Sequence, residues 1–143
     1  MAITFVNNWK NILDKLRSVL RTEFKKTVPV YIGNEDVRNS SQYIRLDPVS
    51  SSVVDYNSSK NLKEYTVSVE YVFTGANIKK TASDNVLRVV ERTQHLINDN
   101  INMTLADSTQ AFDCKFTESE LSTDESEGID VSTWTWTCLH MDV

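Results

Sequence analysis

Two cysteines, two histidines and a crowd of carboxylates are the residues here whose types could do chemistry. Cys138 and His140 stand two apart in the run STWTWTCLHMDV. On a strand both side chains project to one face. Cys114 lies in a neighbouring alternating run, so a Cys/Cys/His group could hold zinc, with His95 or water as fourth ligand. That would make a small metal-dependent enzyme using Cys114, Cys138 and His140. The spacing matches no zinc knuckle, and two core thiols with an edge histidine is the reading preferred. His95 directly precedes the apolar Leu96 of a helical stripe, which predicts a boundary position. Glu118 and Glu120 share a strand face, and Asp124, Glu125 and Glu127 crowd the next turn. Such a run reads as a solvated face rather than an acid/base pair, and STDESEG lacks the ligand order of a calcium loop. Gly33, Gly75 and Gly128 are too scattered to cradle a phosphate, and there is no G-x-S-x-G. The expectation is no catalytic centre, no cofactor and no metal.

The chain around these residues has 143 residues, 40% of them hydrophobic, and a net charge of −5. That length suits one domain, 1–143, with a core of its own. An acidic balance argues against a nucleic-acid binder, which would show a basic face. No apolar run approaches the ~18–20 residues of a membrane span. The first residues show no secretion signal, and two cysteines fit a reducing compartment. Charge is segregated. Residues 1–26 carry six basic and two acidic groups, and residues 99–143 carry ten acidic groups against Lys115 alone. A protein that packs head to tail on copies of itself can use such polarity to orient the encounter. Arg17, Arg21 and Lys25 on one side, and Glu118, Glu120 and Glu125 on the other, are the candidate interface residues.

The elements follow from periodicity. Phe5, Trp9, Ile12, Leu13, Leu16, Val19, Leu20 and Phe24 recur at steps of three and four, which predicts an amphipathic helix. Thr4, Asn7 and Asn8 are its candidate caps, and Pro29 ends it. Val28–Ile32 and Tyr43–Leu46 predict two strands, separated by a loop at 34–41. Residues 50–61 (SSSVVDYNSSKN) read as a long polar loop in which Val53, Val54 and Tyr56 would meet a partner. Tyr65, Val67, Val69, Tyr71 and Phe73 alternate with polar residues, predicting a third strand. A second helix is expected from Ile78 or Thr81 to Ile97. Strands at Ala111–Leu121, with Phe112, Cys114 and Phe116 on one side, and at Ile129–Met141 flank an acidic turn, Ser122–Gly128. Trp134 and Trp136 share one face of the last strand, which suits core packing. The order is helix, three strands, helix, two strands. It predicts an α+β fold, with an antiparallel or mixed sheet of about five strands under two helices on one face.

The matching pieces FVNNWKNILDKLRSVLRTEF, VPVYIG, the 50–61 loop, EYTVSVEYVF, DNVLRVVERTQHLI and VSTWTWTCLHMDV span essentially the whole chain. In that order the chain resembles the tail-terminator (tail-completion) proteins of long-tailed bacteriophages. The resemblance implies a homo-oligomeric, hexameric ring in the virion neck that caps the tail tube, stops its elongation and joins it to the head connector. Its partners would be the tail tube protein and a head-connector or neck protein. DNA would pass through without specific binding, no membrane would be involved, and assembly would take place in the host cytoplasm. A head-closure or other neck protein is the alternative in the same class. A monomeric ligand-binding α+β domain is a third reading.

Overall fold

The computed structural model describes residues 6–25, 28–33, 42–56, 60–74, 79–124 and 129–142. Phe5, the 34–41 loop, Gly75, Ile78, Glu125, Glu127 and Gly128 lie outside the described residues.

Helix α1 spans Asn8–Phe24. Of the three candidate caps, Asn7 is the one used: its Oδ1 accepts from the Lys10 N–H at 3.1 Å. That satisfies one of the orphan donors of the first turn. The helix closes at Lys25, whose positive φ of 54° turns the chain while its N–H still reaches Arg21 O at 2.7 Å. Ile12, Leu13, Leu16, Leu20 and Phe24 form the buried stripe.

Strands β1 (Val30–Ile32), β2 (Gln42–Tyr56) and β3 (Asn61–Thr74) follow. Helix α2 (Lys79–Asp99) comes next, then β4 (Met103–Thr104), β5 (Gln110–Asp124) and β6 (Ile129–Asp142). The six strands form one sheet in the order β1-β2-β3-β6-β5-β4. It is mixed, because β1 runs parallel to β2 while every other pairing is antiparallel. The α+β class and the two helices agree with expectation. The strand number does not: β4 adds a sixth, so the order is helix, three strands, helix, three strands. A two-residue strand has no periodicity to read.

A larger correction concerns 50–61. There β2 continues to Tyr56 and pairs with β3 through Ser51↔Tyr65, Ser52↔Glu64 and Tyr56↔Asn61. The segment lacks an alternating pattern because neither of its faces is covered: Pro48–Tyr56 is exposed throughout. Alternation marks a strand only where one face is buried.

The inner face of the sheet is apolar. Val30, Ile44, Leu46, Tyr65, Val67, Val69, Tyr71, Trp134, Trp136 and Cys138 pack with the α1 stripe, Ile97, Met103 and Leu105 in one cluster. Both helices therefore cover the same face, and Glu23 of α1 meets Arg92 of α2 at 2.7 Å. The outer face carries Thr66, Ser68, Glu70, Thr133 and Thr135, aligned as Glu70↔Thr133 and Ser68↔Thr135. Truncating a core residue such as Leu16 to Ala would cost about 2–5 kcal/mol.

Candidate functional site

The structure brings Cys114 beside Cys138, with His140 two residues further along β6. Phe112 pairs with Leu139 and Lys115 with Thr137, so Asp113 and Cys114 together oppose Cys138. This is a β-bulge, and Asp113 takes a positive φ of 52° to make it. The bulge switches the alternation. Ala111 and Cys114 are buried, while Phe112 leaves the face on which the sequence placed it with Cys114 and Phe116. The two thiols are free and buried, and they hydrogen-bond to each other. That contact first, and burial second, push the Cys138 thiol far above its ordinary range. Two buried thiols in contact fill the core as small hydrophobes.

His140 is not an edge residue; it is 1% exposed. Its Nδ1 lies 2.5 Å from Asp142 Oδ1 and its Nε2 lies 2.9 Å from Thr109 Oγ1. The Thr109 hydroxyl is also 2.6 Å from Asp107 Oδ1. Two hydrogen bonds from Thr109, one from its hydroxyl and one from its backbone N–H, hold the Asp107 carboxyl below its usual range. Both ring nitrogens of His140 are taken up by protein groups, Nδ1 by Asp142 and Nε2 by Thr109. The Thr–His–Asp order looks like a hydrolytic triad, yet Thr109 Oγ1 also lies 2.6 Å from Asp107 Oδ1 and the histidine is buried. Among the described residues no group of three or more His, Cys, Asp and Glu side chains could hold a metal ion.

Tyr65 completes this network. Its hydroxyl donates to Asp142 Oδ2 at 2.7 Å, with Lys63 Nζ 3.4 Å from the same oxygen. Trp9 of α1 packs edge-on to the Tyr65 ring at 4.8 Å. The network thus ties α1, β3, the turn before β5 and the end of β6 together. Sequence reasoning missed Tyr65, Thr109, Asp107 and Asp142. The available signal was His140-x-Asp142, two polar groups on the core face of a strand. His95, expected at a boundary, is exposed instead, 4.0 Å from Glu91.

The tryptophans serve the core, as their spacing suggested. Trp134 and Trp136 are fully buried, and Trp134 stacks on Phe116 at 5.4 Å.

The exposed apolar residues gather elsewhere. Val49, Val53, Val54 and Tyr56 all lie on the uncovered end of β2, with Tyr56 74% exposed. The charged candidates separate by face and by edge. Arg21 Nη2 donates to Val30 O of β1 at 2.9 Å, and Arg17 Nη2 lies 3.5 Å from Asp14. Glu118 and Glu120 align with Thr135 and Thr133 on the outer face, and Glu118 also borders a cleft with Gln94 and Asn98 of α2. Both glutamates border a shallow cleft of about 410 Å³ with Ser119, Thr133 and Thr135. Arg17, Arg21 and Lys25 are therefore not brought together with Glu118 and Glu120 within one chain.

No family model matches this sequence, and no curated protein matches it. Among solved structures it is similar to a chain from the virion of a native gene transfer agent particle. The two share 11% identity over 88% of this chain and 84% of that one, with a TM-score of 0.49. No helix among the described residues is long and apolar enough to cross a membrane.

Proposed function

We propose that this chain is a structural virion protein. In this reading it is a tail terminator that forms a hexameric ring, caps the tail tube and joins it to the head connector. The observation that carries the reading is the β2 end. Pro48–Tyr56 is a laddered strand exposed on both faces, and it presents Val49, Val53, Val54 and Tyr56 together. Clustered apolar residues on an exposed projection mark a contact surface. The projection takes the place of the partner-contacting loop that the sequence suggested. The charge polarity supports self-association, since head-to-tail contacts present two different surfaces to each other. The buried proton network and the paired thiols serve stability rather than turnover.

The test is the solution mass by light scattering, followed by electron microscopy of the protein mixed with tail tubes. A ring-sized oligomer seated on tube ends is expected. A monomer at all concentrations that leaves tubes undecorated overturns the reading.

A further inference from the structure

We propose that copies of this chain join edge to edge, the free run of β2 on one copy pairing antiparallel with the free run of β5 on the next. This rests on the ring reading and specifies how the ring is made.

The argument begins with what covers each outer strand. On one side of the sheet β1 pairs only with Ile44–Leu46, so β2 from Asp47 to Tyr56 has no further neighbour among the described residues. On the other side β4 pairs only with Gln110 and Ala111. Beyond the bond from Cys114 N to Ile101 O, the outer edge of β5 makes no further backbone hydrogen bond among the described residues, although Gln94 and Asn98 of α2 share a cleft with Phe116–Ser119. Open edges offer unmet N–H and C=O groups and invite another strand.

Direction fits. β2 and β6 run one way, β3 and β5 the other. Setting the next copy beside the first in the same orientation places its β5 antiparallel to β2, so the alternation continues across the junction.

Position fits as well. The free run of β2 lies toward the Tyr56 end of the sheet and that of β5 toward the Asp124 end. Side by side without offset, the two runs overlap only in part, because β1 and β4 intervene at opposite ends. Sliding the neighbour by a few residues superposes them. A sheet that closes on itself requires such a stagger, with tilted strands. Register shifts at Pro48/Ser50 and Val53/Asp55 in β2, and at Phe112/Lys115 and Phe116/Glu118 in β5, supply the bending that closure needs.

Charge selects the partner. β5 carries Glu118 and Glu120, so two β5 edges would oppose like charges. The free run of β2 carries only Asp47 and Asp55, at its two ends, and Pro48–Val54 between them is uncharged, so a β2–β5 junction opposes fewer like charges than a β5–β5 one.

The test uses two single variants of the full chain, Ser52→Cys and Glu120→Cys, both exposed and both on the outer face, where they align with Glu64 and Thr133. They are mixed, allowed to assemble and treated with a short bismaleimide. The mixture is expected to give a covalent dimer on a denaturing gel, while each variant alone stays uncrosslinked. Val53→Lys is expected to weaken assembly at least tenfold while near-UV circular dichroism stays unchanged. A dimer from Ser52→Cys alone would mean like-to-like β2 pairing and overturn the proposal. A discrete oligomer with no crosslink in the mixture also overturns it and leaves the ring reading standing. Absence of any oligomer removes both.

Discussion

Asp142 sits where three donors converge. Burial by itself would raise its carboxyl, but bonds from Tyr65 and His140, aided by the charges of His140 and Lys63, hold it below the usual carboxylate range. A carboxyl depressed in the folded state contributes stability above its unfolded value near ~4, and that contribution is lost as the pH falls through the folded value. Asp142→Asn is therefore expected to lower stability at neutral pH by about 1.5–3 kcal/mol, the worth of a charge-assisted bond. It should also flatten the acid limb of a Tm-against-pH curve. An unchanged acid limb would show that Asp142 is not the group responsible. Tyr65 is shifted the other way, upward, by burial first and then by its bond to Asp142. An acid raised on folding keeps its contribution below the unfolded value near ~10 and loses it as the pH climbs beyond. Tyr65→Phe should remove that alkaline dependence at a neutral-pH cost of about 1 kcal/mol. Trp134 and Trp136 bury indole N–H groups with no partner among the described residues. That carries a penalty of roughly 1–3 kcal/mol each, offset by the large apolar area of the two rings.

At the scale of elements, the bulge in β5 can be tested directly. Asp113 holds a positive φ, which a short polar side chain tolerates and a β-branched one does not. Asp113→Val should destabilise by about 1–2 kcal/mol, whereas Asp113→Gly should be neutral or slightly stabilising in chemical denaturation. Equal effects of the two would mean that the backbone at 113 is not what matters. The same bulge shows where the sequence was legible and where it was not. The α1 stripe and the Tyr65–Phe73 alternation are visible because each has one buried face, and both formed as expected. An unbroken period of two puts Cys114 on the same face as Phe112, and the one extra residue of the bulge reverses that. The serines of 50–52 looked like a loop because composition reports burial, and a strand with no covered face buries nothing. The His140 network was opaque for another reason. Thr109 and Asp107 reach it from a turn some thirty residues upstream, and no local pattern announces such a meeting.

Over the whole molecule, the two charge-rich regions sit toward opposite sides of the sheet. α1 packs over β1 and β2, where Arg21 reaches Val30, while β5 and its glutamates stand on the far side. The two regions also occupy opposite faces, because α1 covers the inner face and Glu118 and Glu120 line the outer one. In a head-to-tail assembly these groups would approach without forming direct ion pairs in a continuous sheet. Their action is then the long-range one: an attraction that orients the encounter and fades beyond a Debye length of ~8–10 Å at physiological salt. Steering of this kind changes association rate more than final affinity. Arg21 is a poor probe because it also holds β1. Lys10 and Lys15 are better placed, since they belong to the basic helix and lie outside the α1 buried stripe. Lys10→Glu together with Lys15→Glu should leave the Tm nearly unchanged and slow the proposed self-assembly several-fold at low salt. The deficit should shrink as salt rises and screening removes the field. Stopped-flow light scattering across a salt series measures this. A deficit equally large at high salt would mean that the helix makes short-range contacts in the ring, and that its charge acts by touching rather than by steering.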